Sequence, residues 1–120
     1  FARDARIKLE LTQDNLAGKE MEIGRYYMQR REYLAAINRF KFVIGKFQKT
    51  KHVPEALHRV TESYLALGVT DEAQMATAVL GYNYPGSSWY QDSYTLLEQN
   101  SLTPQRKESS WLSWLWTWTN

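Results

Sequence analysis

Apolar residues recur every three or four positions along most of the chain, and the run from Gly24 to Phe47 shows the pattern best. Tyr33, Ala36, Ile37, Phe40, Val43, Ile44 and Phe47 form one stripe of an amphipathic helix. Ile23, Tyr26, Tyr27 and Arg30 fall on helical spacing before it, and Arg30 to Glu32 supplies a short polar turn. Small residues (Gly24, Ala36) stand where two helices must approach closely. Large ones (Tyr27, Phe40) stand where a gap must be filled. The pattern predicts two antiparallel helices that cannot bury their stripe without a neighbour.

The rest of the chain extends this arrangement. In residues 1–12, Ile7, Leu9 and Leu11 alternate as in a strand, while Ala2, Ala5 and Leu9 follow helical spacing. The helical sequence downstream favours a helix there. Asp14 or Asn15 offers an N-cap for a second helix running to about Arg30, so a first hairpin covers about 16–48. Pro54 suits the start of the next helix, and Gly68 suits its end. Thr70 is expected to cap the following helix, with Asp71 and Glu72 complementing its dipole. That helix carries Ala73, Ala76, Val79 and Leu80 and stops before the turn NYPGS, giving a second hairpin at 54–83. Ser88 and Gln91 form a capping box for a last helix at 89–100.

Residues 101–120 read as a polar link and a tryptophan-rich tail. Tyr27 and Tyr64, Ala36 and Ala73, and Gln48 and Pro85 all match at one offset of 37 residues, and Thr77 falls where the first unit has Phe40. The fold class is therefore all-α, a tetratricopeptide-like helical hairpin solenoid of about six helices.

Composition narrows the chemistry. The chain has 120 residues, 43% of them hydrophobic, and no cysteine, which excludes a disulfide framework, a thiolate nucleophile and a cysteine-ligated metal. It starts at Phe1 in what reads as mid-helix, as expected of a fragment or processed chain. No apolar run reaches the roughly 20 residues of a membrane-spanning helix. The net charge of +2 is unevenly spread. Nine Lys/Arg and two Glu lie from Arg25 to Arg59, against five Asp/Glu and no Lys/Arg from Val60 to Asn100. Such asymmetry suits electrostatically steered protein contacts, or simply solvated helix faces. Nucleic-acid binding is disfavoured, because the basic residues form no run and the aromatics among them lie on the core stripe.

The tail holds four of the five tryptophans in the last ten residues, WLSWLWTWTN. Such a segment packs on its own protein, inserts in a partner groove or lies at a membrane interface. His58 shares a helix face with Glu55 and Glu62, which raises a metal or acid–base site. His52 lies outside the helix, however, so no second histidine joins the group, and an ordinary solvated cluster fits better. No phosphate loop, nucleophile elbow or zinc motif is present, so no catalytic residue, cofactor or metal is assigned.

Three stretches carry a family resemblance: LAGKEMEIGRYYMQRREYLAAINRF, EALHRVTESYLALG and VLGYNYPGSSWYQDSYTLL. Together with the opening FARDARIKLEL, they resemble the C-terminal repeats of the BamD (ComL) family. These are tetratricopeptide lipoproteins of the outer-membrane β-barrel assembly machinery. The match spans roughly Phe1 to Leu97; Gln48 replaces the proline of the family's usual turn, and the tail lies outside the pattern. The resemblance implies a scaffold at the periplasmic face of the bacterial outer membrane, anchored by a lipid on an N-terminal cysteine outside this chain. The implied partners are the periplasmic domains of the barrel-forming (BamA-like) subunit, the accessory lipoproteins and segments of unfolded outer-membrane proteins. Substrate recognition is implied for N-terminal repeats absent here.

In such hairpins the first helix lines the concave face. Repeat alignment puts Met21, Arg25, Met28 and Gln29 there in the first unit, and Glu55, His58, Glu62 and Leu65 in the second. Arg59, Glu62 and Leu65, the turn before Trp89, and Met21 with Arg25 are the expected partner contacts. The alternative is an adaptor that clamps a partner's peptide or C-terminal segment. It is weakened because Met21 and Arg25 occupy positions where such clamps carry Lys and Asn. An enzyme on a helical scaffold has no positive sequence feature behind it.

Overall fold

The computed structural model describes residues 1–105. Five helices follow one another: α1 (Ala2–Gln29), α2 (Tyr33–Lys46), α3 (Val53–Ala66), α4 (Thr70–Asn83) and α5 (Ser88–Gln99). Each of the first four packs on the next, and α5 lies across α3 and α4. The fold is all-α and tetratricopeptide-like, with two hairpins and a further helix. The tryptophan-rich tail expected at 111–120 lies outside the described residues.

One core runs through the stack. It joins Ala17 and Met21 of α1, Ala36, Ile37, Phe40 and Val43 of α2, Leu57 and Val60 of α3, Ala76 and Leu80 of α4, and Leu97 of α5. The two hairpins solve the same packing problem differently at equivalent positions. In the first, a Cβ on Gly24 would come within 2.5 Å of the Phe40 ring, so only glycine fits against it. In the second, 37 residues on, Thr61 and Thr77 face each other and share a buried hydrogen bond of 3.1 Å. Thr77 therefore does not leave a hole where Phe40 stood, because Thr61 supplies the side chain that Gly24 lacks.

Three helix ends share one geometry. The backbone turns left-handed at Arg31 (φ 60°), Gly68 (φ 77°) and Ser101 (φ 59°). After each, the next N–H donates back across the end of the helix: Glu32 to Tyr27, Val69 to Tyr64 and Leu102 to Leu97, all at 2.9 Å. These bonds satisfy carbonyls that a helix end otherwise leaves open. Gly68 adopts the conformation without steric cost, whereas Arg31 bears a Cβ there. Replacing Arg31 with glycine should therefore stabilise the fold by about 0.5–1 kcal/mol. The check is an upward shift of the urea midpoint with an unchanged slope.

Two expectations are corrected at helix starts, and a third at the cap of α4. No break separates residues 1–12 from the first hairpin: α1 is continuous for 28 residues, giving five described helices rather than six. Asp14 sits inside the helix with its carboxylate 3.9 Å from Lys51, instead of capping. The cap of α5 is Ser87, whose hydroxyl accepts from the Trp89 N–H, not Ser88. Val69, not Thr70, holds the cap position of α4, because the chain re-enters a helix one residue after the left-handed turn at Gly68.

Candidate protein-docking face

Helical spacing places Glu55, His58, Arg59 and Glu62 on one side of α3. Pro54 and Glu55 lie in its first turn, where proline loses no hydrogen bond and the carboxylate favours the positive end of the helix. Arg59 reaches both carboxylates: Nε donates to Glu55 Oε2 at 3.2 Å and Nη1 to Glu62 Oε1 at 2.7 Å. From α1, Arg25 Nη1 donates to both oxygens of Glu55, at 3.1 and 3.0 Å. The result is a row of alternating charge, Arg25–Glu55–Arg59–Glu62, that crosses from α1 to α3.

The far end of the row is covered from α5. The Trp89 ring lies 5.2 Å from the Arg59 guanidinium and 5.3 Å from the His58 ring. A guanidinium over an indole face gains a cation–π attraction. Ser93, one turn along α5, comes within 2.7 Å of His58 Nδ1, while His58 Nε2 lies 3.3 Å from Glu62. In the tautomer with the proton on Nε2, that proton faces the Glu62 carboxylate, which can only accept, and Nδ1 accepts from the Ser93 hydroxyl.

Burial pushes the His58 imidazole below its usual pKa, against the opposing pull of Glu62. Burial alone would also lower the Arg59 guanidinium, but its bonds to Glu62 and Glu55 prevail and raise it. The face at neutral pH therefore holds two cations, two anions and one neutral imidazole. Nδ1 of His58 is held by Ser93, and Nε2 faces Glu62.

Of the expected contact residues, the structure brings together Arg25, Arg59, Glu62 and Trp89. Leu65 lies one turn beyond Glu62, half-buried against the core. Met21 is corrected: it is fully buried, because the α1 stripe turns Ala17, Met21 and Gly24 inward, and it has no surface to offer a partner. Ser93 escaped sequence reasoning, since a lone serine in a helix carries no pattern. The Arg25–Glu55 pair also escaped it, since the two are 30 residues apart.

A family model described as outer membrane lipoprotein, YfiO, matches residues 1–80. The chain belongs to this family of outer membrane lipoproteins. Among curated relatives, it is 54% identical over 104 residues to the outer membrane protein assembly factor BamD of Caulobacter vibrioides, covering 87% of this chain and 34% of that protein. Against BamD of Rickettsia prowazekii it is 52% identical over 98 residues, 82% of this chain and 39% of the relative. With BamD of Neisseria meningitidis serogroup A the identity is 39% over 87 residues, 72% of this chain and 33% of the relative. The chain thus spans little more than a third of the length of these relatives. The family model ends within α4, whereas a match of 104 residues in a chain of 120 necessarily includes α5.

Proposed function

We propose that the chain is a non-catalytic docking module for outer membrane protein assembly, working at the periplasmic face of the outer membrane. Its partners are the periplasmic domains of the barrel-forming subunit, with accessory lipoproteins beside them. The observation that carries this reading is the row Arg25–Glu55–Arg59–Glu62, edged by Trp89. Intramolecular pairing holds the two guanidiniums in place before any partner arrives, which lowers the ordering cost of association. Arginine and tryptophan are also the residues most enriched among energetically dominant interface contacts. Family membership and the BamD relatives support the same role. Among the described residues, no helix is long and apolar enough to cross a membrane.

The test exchanges the two charges within α3. R59E/E62R keeps an acid–base pair three residues apart but reverses the polarity presented outward. Affinity for the barrel-forming subunit's periplasmic domains should fall at least about tenfold, the scale of one disrupted interfacial charge pair. Circular dichroism checks that the helices persist. Unchanged affinity in a folded variant would remove this face from the interface.

A further inference from the structure

The region shared across the family model stops before α5, yet α5 supplies the two side chains that complete the α3 face. Its hold on α3 is narrow. Only Ser93 and Leu97 of α5 are fully inside, with Trp89 and Tyr90 partly buried against the core. Of these contacts, one is polar and passes through an ionisable group: His58, 6% exposed, between the Ser93 hydroxyl and the Glu62 carboxylate.

We propose that His58, Ser93 and Trp89 form a proton-sensitive latch, which fixes α5 on α3 while the imidazole is neutral and releases it when the imidazole is protonated. Ser93 and Trp89 are then positioning residues for Arg59 and Glu62. The consequence for partner binding rests on the docking reading above; the latch itself does not.

Burial favours the neutral ring, and the contact with Ser93 suits it. With the proton on Nε2 it faces the Glu62 carboxylate, 3.3 Å away, and Nδ1 accepts from the Ser93 hydroxyl at 2.7 Å. A second proton turns Nδ1 into a donor, so the Ser93 hydroxyl must rotate and find another acceptor. It also places a second cation against the Trp89 ring that already carries Arg59. Glu62, Asp92 and Glu55 favour the cation, and Arg59 opposes it, while Arg25 draws on Glu55 from α1. Burial outweighs the carboxylates, so the docked imidazole titrates below its free value.

The sign follows. Above about pH 6.5, the free imidazole value, docked and released states bind the same protons and the latch is at full strength. As pH falls below this, the released state takes up the proton first, and docking weakens until the depressed docked value is reached.

Hydrogen exchange on the full chain tests the latch, with rates divided by their intrinsic values at each pH. Protection of residues 88–99 should fall on going from pH 7.5 to 5.5, by up to about tenfold for a single group with a free pKa near 6.5. Protection in α2 should stay constant. His58→Gln, which cannot titrate in this range, should make α5 protection independent of pH. An NMR titration of His58 in the wild-type chain reads the same step directly, without relying on a variant. Flat α5 protection in the wild type, the same loss in His58→Gln, or a His58 pKa at or above 6.5 would each overturn the latch. Partner affinity at pH 7.5 and 5.5 separates the two readings. If the latch operates but the partner binds at neither pH, the docking assignment fails and the latch stands.

Discussion

Truncating Phe40 to alanine will destabilise the protein by about 3–5 kcal/mol, the range for a large aromatic removed from a closed core. Phe40 is fully buried, the largest such side chain among the described residues, and its ring covers the face of Gly24. The complementary change, Gly24→Ala, should cost about 1–3 kcal/mol through overpacking. The added methyl would meet three ring carbons at 2.5 to 2.9 Å, and a fully buried ring has nowhere to swing. Because the two substitutions compete for one volume, their effects should not add. The double variant is expected to be more stable than the sum of the single losses by about 0.5–3 kcal/mol, the usual range for residues in contact. Urea unfolding of the four proteins measures this. Strict additivity would show that the glycine at position 24 and the Phe40 ring do not compete for one volume.

Leu97→Ala should cost about 2–5 kcal/mol, and the loss should fall on α5. Leu97 is fully buried and is the one large apolar side chain that α5 commits completely to the core. The helix packs chiefly on α3 and α4, so its removal leaves the first hairpin intact. Local opening of Ser88–Gln99 should therefore precede global unfolding, visible as fast exchange in α5 with slow exchange retained in α2. Trp89 and Ser93 leave with the helix, so the same variant uncovers Arg59 and His58. Equal loss of protection in every helix would instead mean that α5 and the hairpins unfold as one unit.

The sequence was most legible where several local signals agreed. For α2, the stripe from Tyr33 to Phe47 shows a single period. For α3, the proline near the start and the glycine at the end bracket the element. Legibility failed where a cap preference stood alone. Asp14 and Asn15 favour helix starts, but no proline interrupts residues 2–29. Propagating a helix needs less than restarting one, so the chain ran through. The candidate docking face was half legible. Glu55, Arg59 and Glu62 are three and four residues apart and can be paired on paper. The partners contributed by α1 and α5 depend on how the helices stack, which no local spacing encodes. Met21 was misplaced for the same reason: the register of the stripe predicts which residues share a face, not how far the face rotates toward its neighbour.

The left-handed residues at the ends of α1, α3 and α5 have an evolutionary consequence. Arg31 and Gly68 are joints of the same shape, and residues 32–68 begin just after one and finish on the other. That segment is a self-contained cassette whose two ends match. Copied in tandem, it would join to itself through backbone bonds that already exist, with no new loop to invent. An array of this kind can lengthen by duplication first, and specialise the charges on each copy afterwards.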